Sequence, residues 1–101
     1  MSLPFDDHDA PLYTVGQVAD MLGVQPAFIR RLDSERVVEP SRSDGGQRRY
    51  SRSEIERVQQ VATMADQGLS LAGIRRILVL EAQVEKLKRQ VNALRRPRPK
   101  R

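Results

Sequence analysis

Val15, Val18, Ala19 and Leu22 recur at helical spacing, and Phe28, Ile29 and Leu32 repeat the stripe after a short break. The break is Gly23-Val24-Gln25, and both sides of it carry helix signals. Thr14-Val15-Gly16-Gln17 forms a capping box, in which the Thr14 hydroxyl accepts an orphan N–H while Gln17 reaches back. Gly23 suits the left-handed position that closes a helix. Pro26 suits the first position of the next helix, where its missing N–H would have had no partner. Ala19 is small enough to let the two helices cross closely. Two short helices and a tight turn predict a helix-turn-helix. Gln25, Ala27, Arg30 and Arg31 lie on the outward side of its second helix.

Asp33 to Arg36 end that helix, and Val37-Val38 reads as a short β-type pair, the first strand of a hairpin or its approach. Pro40 begins the hairpin, Asp44-Gly45-Gly46 is its turn, and Gln47 to Tyr50 return as the second strand. Such a hairpin buries little and is expected to be the most mobile part of the folded unit. Ser51-Arg52-Ser53-Glu54 is a second capping box. It opens a helix with Ile55, Val58, Val61, Ala62 and Ala65 on one face, stopped by Gln67-Gly68. Ser70 then caps a last helix whose core face is Leu71, Ile74, Ile77 and Leu78. Gly73 inside it costs ~1 kcal/mol against alanine, which predicts a close packing contact there.

From Ile77 the pattern narrows. Ile77, Leu80, Val84, Leu87, Val91 and Leu94 alternate spacings of three and four, an a/d seam about two and a half heptads long. Valine at a and leucine at d suit a two-stranded coiled coil. The flanking positions grade from Glu81 through Lys88 to Arg95, which favours an antiparallel partner. Pro97 ends the helix.

Charge adds a partner class. The 101 residues carry a net charge of +5, unevenly placed. Asp6, Asp7 and Asp9 give an acidic arm, residues 1–12, expected to be disordered. Arg95, Arg96, Arg98, Lys100 and Arg101 crowd the other end, where residues 96–101 are expected to form a basic disordered tail. Arg42, Arg48, Arg49 and Arg52 surround the hairpin, with Asp44 the single acid between residues 42 and 52. This pattern suits contact with a nucleic-acid backbone. Arg30 and Arg31 are adjacent on a helix, so they point about 100° apart. One is placed to reach a base edge and the other a phosphate. A bidentate arginine on guanine contributes ~1–3 kcal/mol of discrimination. Gln25 and Ala27 lie near the start of that helix, where base contacts are usual. Thr14, at a helix N-terminus, has neighbouring N–H groups suited to phosphate.

Other chemistry has little to stand on. The chain has no cysteine, so disulfides, thiolate metal sites and Cys nucleophiles are excluded. His8, the one histidine, reads as a solvated tail residue. No Ser/His/Asp set and no carboxylate pair in an apolar setting suggests catalysis, and no cofactor is expected. No stretch approaches the ~20 apolar residues of a membrane span. No leader is visible, and a cytoplasmic, nucleoid-associated protein is expected.

Taken together, these residues carry a resemblance. Tyr13 to Ala19, Leu22-Gly23-Val24, Ile29-Arg30, Pro40, Gly45 to Ser51 and Gly68 to Leu78 resemble the MerR family of bacterial transcription regulators over roughly residues 12–95. The GGQRRYS and LAGIRRI segments are most like its heat-shock repressor branch, HspR. The resemblance implies a mainly α fold, with a winged helix-turn-helix domain over residues 13–80. A dimerisation coiled coil would follow over residues 81–95. It implies a homodimer, an antiparallel coiled coil and a palindromic operator in double-stranded DNA. Helix 26–34 would enter the major groove. Arg48 and Tyr50 would grip the flanking backbone, with Arg49 beside the minor groove. RNA polymerase or the chaperone DnaK are the protein partners it implies.

Three departures qualify this. Arg31-Leu32 stands where the family usually has an aromatic, so a phosphate contact by an aromatic hydroxyl is lost and Arg31 is its replacement. Arg36 stands where the family usually has glycine, so the left-handed exit of the helix is strained or rebuilt. The C-terminal residues carry no metal-binding cysteines and no apolar tail, so no small-molecule or metal effector is expected. A repressor is the reading carried forward. Two rivals stay open: a protein-interaction module that holds a sigma factor or chaperone, and an architectural DNA binder that assembles on direct repeats.

Overall fold

The computed structural model describes residues 7–95. The elements run α1 (Val15–Leu22), α2 (Pro26–Ser34), β1 (Ser41–Arg42), β2 (Arg48–Arg49), α3 (Arg52–Asp66) and α4 (Leu71–Arg95). The proposed tail, residues 96–101, lies outside the described residues, as do residues 1–6 of the arm.

Both capping boxes close as their spacing predicts. The Thr14 hydroxyl accepts from the Gln17 N–H at 3.1 Å, and the Thr14 N–H donates to the Gln17 side chain at 2.9 Å. Gly23 closes α1 at φ 66°, and its neighbour's N–H returns to the Ala19 carbonyl at 3.1 Å. At α3, Ser51 and Glu54 form the same reciprocal pair at 3.1 and 2.8 Å. Ser51 is buried, so its polar atoms need these partners.

One apolar core joins all four helices. Val18 and Ala19 of α1, Ile29 and Leu32 of α2, Ile55, Val58 and Val61 of α3 and Ile74 of α4 are buried in it, with Val37, Val38 and Tyr50. The packing face of each helix is the one its periodicity names.

Several expectations need correction. Val37 and Val38 are not a strand. Their N–H groups both return to the Leu32 carbonyl, at 2.8 and 3.3 Å, and their side chains enter the core. The α2 exit therefore wraps tightly, and pairing begins only at Ser41. Gly73 meets no neighbouring helix: a methyl there would approach the Ser70 hydroxyl at 3.2 Å, and that hydroxyl accepts the Gly73 N–H at 3.1 Å. The last helix, α4, runs unbroken for 25 residues through positions 80 and 81.

Residues 7–12 also differ from a free arm. The Ser53 N–H donates to the His8 carbonyl at 3.0 Å, and the Ser53 hydroxyl to Asp9 at 3.1 Å. His8 lies 3.5 Å from Glu56. The first turn of α3 has N–H groups without intrahelical partners, and this segment supplies one with an acceptor.

Candidate nucleic-acid interface

The exposed side of α2 and the β1–β2 hairpin lie together. Burial of Ile29 and Leu32 turns Gln25, Ala27, Arg30 and Arg31 outward. Gln25 occupies the N-cap position of α2 without a side-chain capping bond, so its amide is not committed there. Arg31 pairs with Glu35 one turn later, Nε to Oε2 at 2.6 Å. Both side chains are well exposed, and such a pair is worth only ~0–1 kcal/mol, so an anion can replace the carboxylate.

The hairpin sorts its arginines by face. Arg42 stands opposite Arg48, and Ser41 opposite Arg49. Directly opposed residues share a face and successive residues alternate. Arg42 and Arg48 therefore project from the open side. Ser41 and Arg49 face the other way, where the Ser41 hydroxyl donates to Glu54 at 2.8 Å. Arg49 is half-buried and its guanidinium donates to the Gln47 side chain at 2.6 Å. The single cluster expected around the hairpin is thus divided between two faces. Arg42 reaches across the loop to the Gly46 carbonyl at 2.8 Å, and Gly46 holds φ 78° to make that turn.

Tyr50 joins the parts. It exchanges two backbone hydrogen bonds with Tyr13, at 2.7 and 3.0 Å, so the hairpin base is tied to the start of α1 and to Thr14. Its ring belongs to the core. Burial, with the nearby carboxylate of Asp33, pushes its hydroxyl pKa up to about 12, against the opposing influence of Arg48. Glu54 and Arg30 also act on that hydroxyl, which places it where α2, the hairpin and α3 converge.

Three pairings between elements followed no local pattern in the sequence. Asp33 is ion-paired with Arg48 across 15 residues of chain, Oδ1 to Nη2 at 2.5 Å. Glu54 doubles as cap and as acceptor for Ser41. Arg75 of α4 donates from Nε to the Arg36 carbonyl at 3.3 Å. Among the described residues, no group of three or more His, Cys, Asp or Glu side chains is placed to hold a metal ion. None of their helices is long and apolar enough to cross a membrane.

A short helix, a glycine turn and a second helix with an outward polar face, backed by a basic hairpin, define a helix-turn-helix of the DNA-binding class. The profile of the MerR HTH family regulatory proteins matches residues 13–80, and the chain belongs to that family. Over 80 residues it is 41% identical to heat shock protein HspR of Streptomyces coelicolor, which covers 78% of this chain and 53% of that protein. It is 32% identical over 84 residues to the HTH-type transcriptional regulator GlnR of Bacillus anthracis, covering 82% of this chain and 65% of that one. The chain thus spans between half and two thirds of these relatives' length. Among solved structures, the N-terminal part of MtaN, the multidrug transporter activator of Bacillus subtilis, superposes with a TM-score of 0.60 at 28% identity. The match covers 81% of this chain and 87% of that one. A MerR-family transcriptional regulator of Bacillus cereus gives the same TM-score at 22% identity, over 81% and 66% of the two chains.

Proposed function

We propose that the chain is a sequence-specific DNA-binding transcriptional regulator, acting as a repressor on a palindromic operator as a homodimer. The observation that carries this reading is the shared open surface of α2 and the hairpin. Gln25, Ala27 and Arg30 are exposed on α2, Arg42 and Arg48 are exposed on the hairpin, and the ion pair of Asp33 with Arg48 links the two elements. In this reading α2 enters the major groove, where Arg30 reads a base edge and Gln25 and Ala27 contact bases near the helix start. Arg31 of α2 and Arg42 and Arg48 of the hairpin serve the backbone, with Arg49 at the hairpin's other face and Thr14 and the Tyr50 hydroxyl at its base. The HspR relative supports a heat-shock regulator over other members.

The second copy follows from α4. Leu80, Val84, Leu87, Val91 and Leu94 are all exposed along it, while Ile77 at its root is half-buried. An aliphatic seam of this length left in water suits pairing with an identical seam.

Footprinting on DNA recovered with the protein tests the reading. The expected result is one symmetric protected site overlapping a promoter. Steps of protection marching along the duplex would favour an architectural binder, and no protection at low salt would end the proposal. Arg30→Ala is expected to relax sequence preference, losing roughly tenfold in discrimination at one position of each half-site, as one bidentate contact is worth.

A further inference from the structure

Arg48 projects with Arg42 from the open face of the hairpin, and its guanidinium is already held by another element. Nη2 lies 2.5 Å from Oδ1 of Asp33. Asp33 is three residues beyond Arg30, so the two are neighbours on one side of α2. Its side chain is only about a quarter exposed, while that of Arg48 is half exposed. A carboxylate is thus set between arginines of the two elements, and its side chain bridges the helix to the hairpin. Guanidinium has five N–H donors in a rigid fork, so one edge can hold a carboxylate while the remaining donors face outward.

Resting on the DNA-binding reading above, we infer that Asp33 is a specificity-determining positioning residue: it holds Arg48 in a fixed orientation to α2, so that a phosphate engages the hairpin only when α2 is seated in the correct register. The carboxylate penalises every phosphate that approaches without that orientation, because it faces the duplex with the same sign of charge. Specific and non-specific duplexes are therefore separated by Asp33, although it touches neither bases nor phosphate. Arg48 supplies the contact, and Asp33 makes that contact conditional on geometry.

The test compares two duplexes of equal length and salt. One is the site protected by the wild-type protein and the other is its scrambled sequence. Asp33→Asn keeps shape and an acceptor but removes the charge. The expected result is tighter binding to the scrambled duplex and no gain on the site, lowering the ratio of the two affinities about tenfold, within the range of coupling between side chains of one ion-pair network. In an Arg48→Ala background the same substitution is expected to leave the ratio unchanged. Arg48→Lys, which keeps the charge without the fork, is expected to lower it as Asp33→Asn does. A merely structural role would reduce the active fraction and weaken both duplexes together. The inference is overturned if Asp33→Asn changes both affinities by one factor, or lowers the ratio equally with and without Arg48. A wild-type protein that binds its site no better than the scramble would overturn the DNA-binding reading itself, which is a separate outcome.

Discussion

Arg36 holds φ 57°, the left-handed region that L side chains enter at a cost of ~1–2 kcal/mol. The tertiary contacts around it explain why it stays there. Its N–H donates to the Asp33 carbonyl at 3.0 Å, its carbonyl accepts from Arg75, and the next two residues are buried valines. Glycine would relieve the strain, offset in part by glycine's greater freedom when unfolded. Arg36→Gly is therefore expected to stabilise the chain by ~1 kcal/mol, raising the melting temperature by about 4–8 °C. A melting temperature that stays level or falls would mean the left-handed backbone carries no strain here. The departure noted in the sequence is thus accommodated rather than rebuilt: the turn is kept and the side chain tolerates it.

The hairpin shows how little of an element resides in its own residues. Each strand has two residues, too few to persist alone. Its position comes from three attachments to other elements: Ser41 to Glu54 of α3, Arg48 to Asp33 of α2, and Tyr50 to Tyr13. Glu54 adds the first of these to its capping duty, since one oxygen accepts from the Ser51 N–H and the other from Ser41. Glu54→Ala is expected to cost ~1–2 kcal/mol through the lost cap and hydrogen bond. Hydrogen exchange should quicken at Ser43 and Gln47 more than within α1. Equal protection in variant and wild type would show that the cap acts on α3 alone. The capping box was legible from four consecutive residues, whereas the bond to Ser41 spans 13 positions and follows no local pattern.

At the scale of the molecule, α4 does two jobs along its length. Its first turns complete the core through Ile74 and, less fully, Leu71 and Leu78, while residues 79–95 are exposed, with Glu81 still accepting from Gln60 of α3 at 3.0 Å. Twenty-five residues of helix span ~37 Å. Helix beyond the core has few tertiary contacts of its own, and an aliphatic stripe in water adds no stability until it is covered. Leu87 sits midway along the seam and is 58% exposed. Leu87→Lys should place like charges in the middle of a paired seam. Sedimentation is expected to give two chains for the wild type and one for the variant, with weaker binding to a symmetric site. A wild-type protein that sediments as one chain at micromolar concentration would refute the pairing. Arg75 adds a mechanical link, because it ties the root of α4 to the exit of α2.

Where each helix starts, which side it buries and where it turns were decided by the sequence itself. Those features rest on neighbours one helical turn apart: Thr14 with Gln17, Ser51 with Glu54, Gly23 after Leu22, and the apolar stripes. Only the folded chain settled that Val37 and Val38 belong to the core, that His8 and Asp9 meet the first turn of α3, and that the hairpin arginines divide between two faces. It also settled that Asp33 takes Arg48. The reason is physical: helical caps and periodicity are short-range interactions written in adjacent residues, whereas a charge finds its partner by where the backbone carries it.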